Sequence, residues 1–497
     1  MDKTYAGRRL RRLREDRGLS QAALARRLSV SPSYLNQIEH DSRPLTVPVL
    51  LRLCEEFGVD AGFFAAHDVT RLIAEIREVV ADGALASPEA AGEAAELAEK
   101  LPHTARALVT LHRRYRQALE QLALLTDDRG AALASLGEKT AGAKAAGVAP
   151  APQIAMMPHE EARDYFYRRH NYIAELDAAA EEVAGELGAG PGQTLTALAT
   201  RLARHGIEVV GLDAATASSP TNPGEQHRYD EATKRLYLAG HLRPGQQAFR
   251  MAVQLAFAEY ADLITELAAD EELSSPPAVT LTRVGLANYF AAALIMPYRT
   301  FHATAERYRY DIERLADHFG VGFETVCHRL STLQRPRLRG VPFSFIRVDR
   351  AGNMSKRSSA TGFHFTRTGS TCPLWNVYEA FAAPGRILVQ IASMPDNSRY
   401  LWVARTVTRT PGRYGAPGKT FAVGLGCDVR HAERLVYAAG RDLDNRDAAV
   451  PIGVGCKVCD REGCPQRAFP QIGRSLAVDE NRSTFAPYPH DDPGLSG

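Results

Sequence analysis

By hydropathy no apolar run reads as long enough to cross a bilayer, and because the N-terminus enters charged sequence at once no leader is expected. The expectation is a cytoplasmic protein with no membrane partner. Cysteine is sparse: seven residues in 497, an odd number, three of them crowded together. That usage fits a reducing compartment better than a disulfide framework. No Gly-rich phosphate loop is present to mark a nucleotide site. Net charge is also small, at +2, but it is unevenly spread. Residues 1–27 carry nine cations (Lys3, Arg8, Arg9, Arg11, Arg12, Arg14, Arg17, Arg26 and Arg27) against Asp2, Glu15 and Asp16. A basic end on a near-neutral chain points to a polyanion. A length of 497 residues suits about three domains.

The basic end has helical punctuation. Leu10, Leu13, Leu24, Leu28, Leu35, Ile38, Leu50, Leu53 and Phe57 recur at helical spacing. Gly18 ends a first helix. Ser20 caps a second, and Ser31 caps a third with Pro32 in its first turn, where a missing N–H costs nothing. The stretches Leu19-Ser-Gln-Ala-Ala-Leu-Ala25 and Val30-Ser-Pro-Ser-Tyr-Leu-Asn-Gln-Ile-Glu39 resemble the Cro/C1-type helix-turn-helix family. The resemblance makes the helix at Pro32 the recognition helix. Leu35 and Ile38 must face the core, so Ser33, Tyr34 and Gln37 face outward to base edges, with Ser31 at the helix start. Gln21 and Arg43 are the expected phosphate contacts. Such modules read paired half-sites, so a homodimer on operator DNA is expected.

The second concentration of chemistry is Cys456-Lys-Val-Cys459-Asp-Arg-Glu-Gly-Cys464-Pro465. Thiolates this close can converge on one metal or one iron–sulfur cluster. A fourth ligand must come from elsewhere. Cys372, before Pro373 in a turn, is the first choice; Cys427, at a strand end, is the alternative. Cys54 and Cys327 sit at core positions of amphipathic helices. One Cys-x2-Cys pair plus single cysteines favours a [4Fe–4S] cluster over zinc, whose ribbons use two such pairs; zinc stays open.

Between these ends, 163–187 reads as one long helix, 206–211 and 235–238 as strands, and 247–259 as a buried helix, with helices again over 288–297 and 310–333. This order resembles the ImmA/IrrE metallopeptidase-like family. There the buried helix carries His-Glu-x-x-His, two zinc ligands and a base. Here the matching positions are Val253, Gln254 and Phe257, so the resemblance implies no peptidase activity and no catalytic residues. Beyond 340 the strands 341–348, 386–391, 400–404 and 420–424 and a helix over 428–439 read as an α+β domain around an antiparallel sheet.

The order of parts, with Gly340-Val-Pro-Phe, Asp349-Arg-Ala-Gly-Asn353, Cys372-Pro-Leu-Trp375, Met394-Pro395 and the cysteine cluster, resembles the short-chain fatty acyl transcriptional regulators, the PrpR/RamB-like family. The resemblance implies a regulator of propionate or acetate metabolism that senses short-chain acyl-CoA and carries a [4Fe–4S] cluster. Cations and aromatics placed to meet an acyl-CoA are Arg168, Arg169, Tyr172, Arg250, Tyr289 and Arg307. The expected fold is mixed. It comprises an all-α helix-turn-helix (1–68), a helical connector and linker (69–152), an α+β ligand-sensing domain of degenerate ImmA/IrrE type (153–340), an α+β domain with the cysteines (341–475) and a loose tail (476–497). Two rivals stand beside it: a zinc-stabilised DNA-binding scaffold that senses nothing, and an active metallopeptidase acting on a repressor.

Overall fold

The computed structural model describes residues 7, 10, 11, 14, 19–40, 42, 43, 45–57, 67–80, 88–116, 158–188, 193–212, 225–360, 363, 372–409, 418–453, 455, 456, 459, 461, 464–470, 476, 478 and 481. The end of the first helix at Gly18, the linker at 127–152 and all but three positions of the tail fall outside these residues.

At the N-terminus, α1 (Gln21–Arg27), α2 (Pro32–Glu39) and α3 (Val47–Phe57) pack with Leu10 around Leu24, Leu28, Leu35, Ile38, Leu53 and Phe57. Both expected serine caps are made: Ser20 Oγ accepts from the Ala23 N–H and Ser31 Oγ from the Tyr34 N–H. Inside, Glu39 is buried against Arg14, whose Nε donates to it at 2.7 Å. Three helices follow, α4 (His67–Val80), α5 (Pro88–Lys100) and α6 (102–116), sharing a small core of Leu72, Ile76, Val79, Ala94, Ala98, Ala105 and Val109. Helix α5 has no periodic apolar signature in the sequence. Its buried face is made of alanines, and a stripe of small residues carries little periodic signal.

The middle region begins with α7 (Pro158–Arg168) and α8 (Ala174–Leu187), where one helix was expected. His170 and Asn171 both take left-handed backbone, with φ of 49° and 58°, and break it. The break lets the buried Tyr289 hydroxyl receive the Ile173 N–H at 3.2 Å and sinks Ile173 into the core. Then come α9 (Thr194–Arg204) and β1 (Glu208–Leu212), β2 (His227–Asp230) and β3 (Arg235–Ala239), in the order β1-β3-β2 with β1 and β3 parallel. Helices α10 (Pro244–Glu259), α11 (Ala261–Leu267) and α12 (Pro276–Ile295) cover them. α12 is capped by Ser275 and stops before Pro297. Among the described helices it alone is long and apolar enough to cross a membrane, yet Leu286, Phe290 and Ala293 on it are buried in this core. Three shorter helices end the region: α13 (Tyr298–Arg307), α14 (Ile312–Phe319) and α15 (Phe323–Leu330). The expected helix over 310–333 is thus two, split at Gly320, whose φ of 63° makes it the left-handed C-cap of α14.

The last region is a six-stranded sheet of β4 (Ser344–Val348), β5 (Met354–Ser359), β6 (Leu388–Ser393), β7 (Arg399–Arg409), β8 (Lys419–Asp428) and β9 (Val450–Pro451), in the order β5-β4-β8-β7-β6-β9. All pairings are antiparallel except the short β6–β9 contact. Alternation along the strands builds two cores. Phe345, Leu401, Val403, Val423, Leu425 and Cys427 face α13, α14 and α15. Ile346, Val348, Trp402, Ala404 and Ala422 face the other way, toward Cys372, Trp375 and α16 (Asn376–Glu379). Gly426 makes room for Trp402, since a Cβ there would lie 2.5 Å from its ring. The helix expected over 428–439 is two short 3-10 helices, Val429–Arg434 and Val436–Ala438.

Candidate functional site

Each DNA-facing candidate sits on or beside α2. Ser33 and Arg43 are exposed, and Tyr34 and Gln37 are half-buried. The Arg43 guanidinium lies 5.7 Å from the centre of the Tyr34 ring. The backbone N–H groups of Ser42 and Arg43 both donate to the Gln37 carbonyl, so the chain turns sharply after the helix. Ser31 is the helix cap. Gln21 is tied inward: its Nε2 donates to Asn36 Oδ1 at 3.1 Å and Glu39 Oε2 at 3.0 Å, which fixes α1 against α2.

The four cysteines chosen from the sequence meet. Cys372, Cys456, Cys459 and Cys464 line one small pocket, with Pro373, Pro451, Gly453, Arg461 and Arg467 among its other walls. Backbone N–H groups of Gly453 and Leu374 are directed at the Cys372 sulfur, that of Arg461 at Cys459, and that of Ala468 at Cys456 Sγ, 3.5 Å away. Gly453 must lack a side chain, because a Cβ would fall 2.4 Å from Cys459 Sγ. Burial pushes the Cys372 and Cys459 thiols up. Among the described residues no three His, Cys, Asp or Glu side chains are drawn together tightly enough to hold a bare ion. Cys427 is not among the four pocket cysteines. It is fully buried on the opposite face of the sheet, beside Leu401, and burial holds its thiol far above the usual range. Cys327 is likewise a core residue. The Cys54 side chain lies outside the described residues.

The six acyl-CoA candidates do not converge. Arg168 and Arg169 are both held by Asp270, with Glu272 also on Arg168, and Arg169 stacks 3.8 Å from the centre of the Tyr165 ring. The Tyr289 hydroxyl donates to Asp177 Oδ2 at 2.9 Å, and Arg329 Nη2 donates to Asp177 Oδ1 at 2.7 Å, all three residues being buried. Tyr172 accepts from Arg335 beside the same network. Arg307 lies over Tyr308. On α10, Val253 and Gln254 are buried and Phe257 packs against the same core.

Arg250 differs. Its Nη2 donates to Gln226 at 2.6 Å, and burial together with the neighbouring Arg409 pushes its pKa down. Arg409 belongs to a cationic row that the sequence reading missed. Strand register sets Lys356 opposite Arg347, Arg347 opposite Val423, and Val423 opposite Arg405, all on the helix-facing side of the sheet. Arg347 and Arg409 both hold Glu324 of α15, and Arg405 holds Glu313 of α14. The Arg405 Nε is buried with no hydrogen-bond partner. Burial, with Arg347 and Arg409 adding to it against the pull of Glu324, lowers the Lys356 ammonium to about 8. Burial and Arg250 lower His227 as well. Five cations thus gather around two carboxylates where the middle region meets the sheet.

Comparison with known proteins agrees with this architecture. Residues 6–62 match a helix-turn-helix domain, 203–331 an IrrE N-terminal-like domain, and 332–488 the C-terminal domain of short-chain fatty acyl coenzyme A regulators. The chain is 55% identical over 493 residues to the HTH-type transcriptional regulator RamB of Mycobacterium tuberculosis, covering 98% of this chain and 99% of that protein. It is 47% identical to PrpR of the same species, covering 98% and 96% of the two chains. It is 40% identical to the propionyl-CoA carboxylase regulator of Cereibacter sphaeroides, covering 98% of each. A solved Mycobacterium tuberculosis transcriptional regulator superposes with a TM-score of 0.64 at 52% identity, over 67% of this chain and 99% of that one.

Proposed function

Because the chain belongs to the RamB/PrpR family of helix-turn-helix transcriptional regulators, we propose that it regulates genes of short-chain fatty acid metabolism as an operator-bound homodimer tuned by two groups. One is a [4Fe–4S] cluster held by Cys372, Cys456, Cys459 and Cys464. The other is a short-chain acyl-CoA. The observation that carries the cluster is the single pocket lined by all four cysteines. The backbone N–H groups aimed at sulfur partly offset the burial that raises the Cys372 and Cys459 thiols. When bound, such a cluster supplies one-electron chemistry and sensitivity to oxidants. The protein's part is to donate those N–H bonds and to bury two of the sulfurs.

The acyl-CoA reading is supported by the row Arg347, Lys356, Arg405 and Arg409 with Arg250, which has more positive charge than Glu324 and Glu313 balance. Phosphates are the ligand groups such a row recognises. Of the six residues first considered, Arg250 keeps its place in this reading. Ser33, Tyr34 and Gln37 read bases, and Arg43 holds phosphate. A ligand bound at the junction changes DNA affinity only by favouring one domain arrangement over another. The test is anaerobic protein on DNA selected from a random-sequence pool, at one fixed salt concentration. Propionyl-CoA or acetyl-CoA should shift the affinity severalfold. A ligand that raises thermal stability without moving DNA affinity would refute coupling, and one that does neither would refute the site.

A further inference from the structure

Two arginines in the cysteine pocket are unaccounted for by ligation. Arg467 is buried, with 5% of its surface exposed. Its Nη1 donates to the Cys456 carbonyl at 2.9 Å, and its Nη2 to the carbonyls of Cys459 at 3.1 Å and Arg461 at 2.6 Å. One guanidinium therefore grips the backbone at two of the three clustered cysteines and at Arg461, which follows them in sequence before Cys464. Arg461 also lines the pocket. Its Nη2 reaches back to Ser393 of β6 at 2.8 Å and to the Ile452 carbonyl at 3.3 Å, and its Nε is buried with no hydrogen-bond partner. Among the described residues neither arginine forms an ion pair with a carboxylate. Carbonyl oxygens satisfy donors but carry no net charge, so the buried Arg467 and the half-buried Arg461 call for an anion in the space they line.

We infer that Arg467 is the positioning residue that folds the cysteine loop into its ligating shape, and that Arg461 and Arg467 together set the charge balance of the bound cluster. The inference rests on the cluster reading above. Four thiolates give a [4Fe–4S] group net negative charge, and one-electron reduction adds another. Fixed cations at the wall favour the reduced form and raise the potential. A fork of three hydrogen bonds is a geometry lysine cannot reproduce, so clamp and charge separate by substitution.

The experiment uses the full chain prepared anaerobically. Iron and sulfide are counted first, then the potential is titrated by absorbance and electron paramagnetic resonance, and iron release to a ferrous chelator is timed. Arg461→Gln should keep the iron and sulfide of the wild type with a reduction equilibrium at least tenfold less favourable, about 59 mV lower for one electron. Arg467→Lys should keep the potential but release iron several-fold faster. Arg467→Gln should do both, and if it fails to fold the other two variants carry the test. Unchanged potential in Arg461→Gln with unchanged release in Arg467→Lys overturns the inference. Wild-type protein without iron and sulfide overturns the cluster reading itself, and that result is seen before any variant is made.

Discussion

The cysteine pocket lies in the C-terminal domain and the cationic row where that domain meets the middle region, and the two are written into the chain in different ways. Three of the four pocket cysteines occur within nine residues, and the fourth stands beside a proline turn. Their chemistry is concentrated, and a reader of sequence meets it as a motif. The row takes Arg250 from a helix, Arg347, Lys356, Arg405 and Arg409 from three strands, and Glu324 from another helix. No two neighbours in it are closer than four positions in sequence. Only strand register brings Lys356 across from Arg347 and both near Arg405. A binding surface built by pairing has no local signature, so Arg250 was found as a stray cation and its partners were not found at all.

The same contrast governs the fold. The helix-turn-helix was legible because caps, turn and apolar spacing agree within forty residues, as Ser20 and Ser31 illustrate. The breaks at His170–Asn171 and Gly320 were read through, because the apolar pattern continues on both sides while the backbone turns. The choice between Cys372 and Cys427 was open in sequence. It becomes a matter of strand alternation: Cys427 shares a face with Leu401 and Leu425, and Cys372 packs on the other side with Trp402.

The comparison can be broken first at the motif. Cys456→Ser, Cys459→Ser and Cys464→Ser should each abolish the visible absorption of anaerobic protein, since a hydroxyl does not replace a thiolate as a cluster ligand. Full iron in all three would remove the ligand set.

A second prediction separates structure from ligand binding. Asp177→Ala leaves Arg329 buried without its partner, which should cost about 3–5 kcal/mol of stability by denaturant titration. A loss of under about 1 kcal/mol would mean that the Asp177–Arg329–Tyr289 network is not holding the middle core, and would reopen Tyr289 as a ligand residue.

On DNA, Gln37→Ala should cost about 1–3 kcal/mol at one base position and relax preference there. Arg43→Ala should weaken all sequences alike and flatten the salt dependence. Identical behaviour of the two on cognate and scrambled DNA would contradict the assignment of α2.

The smallest effect sharpens the reading of the row. With Lys356 lowered to about 8, it gains its charge as pH falls through that value, so propionyl-CoA should bind several-fold more weakly at pH 9 than at pH 7. Without ligand the sign reverses. Between about 8 and its ordinary 10.5 the unfolded chain holds the proton and the folded chain does not, so stability from this group rises with pH across that window. Lys356→Met should flatten both profiles, and binding that ignores pH in the unaltered protein would remove Lys356 from the site.

The most direct test of the central claim is iron and sulfide analysis of three anaerobic proteins side by side: the unaltered chain, Cys372→Ser and Cys427→Ser. The account predicts about four irons and four sulfides per chain in the first and the third, and loss of both in Cys372→Ser. Full iron in Cys372→Ser with loss in Cys427→Ser would contradict it, as would one zinc and no sulfide in the unaltered protein.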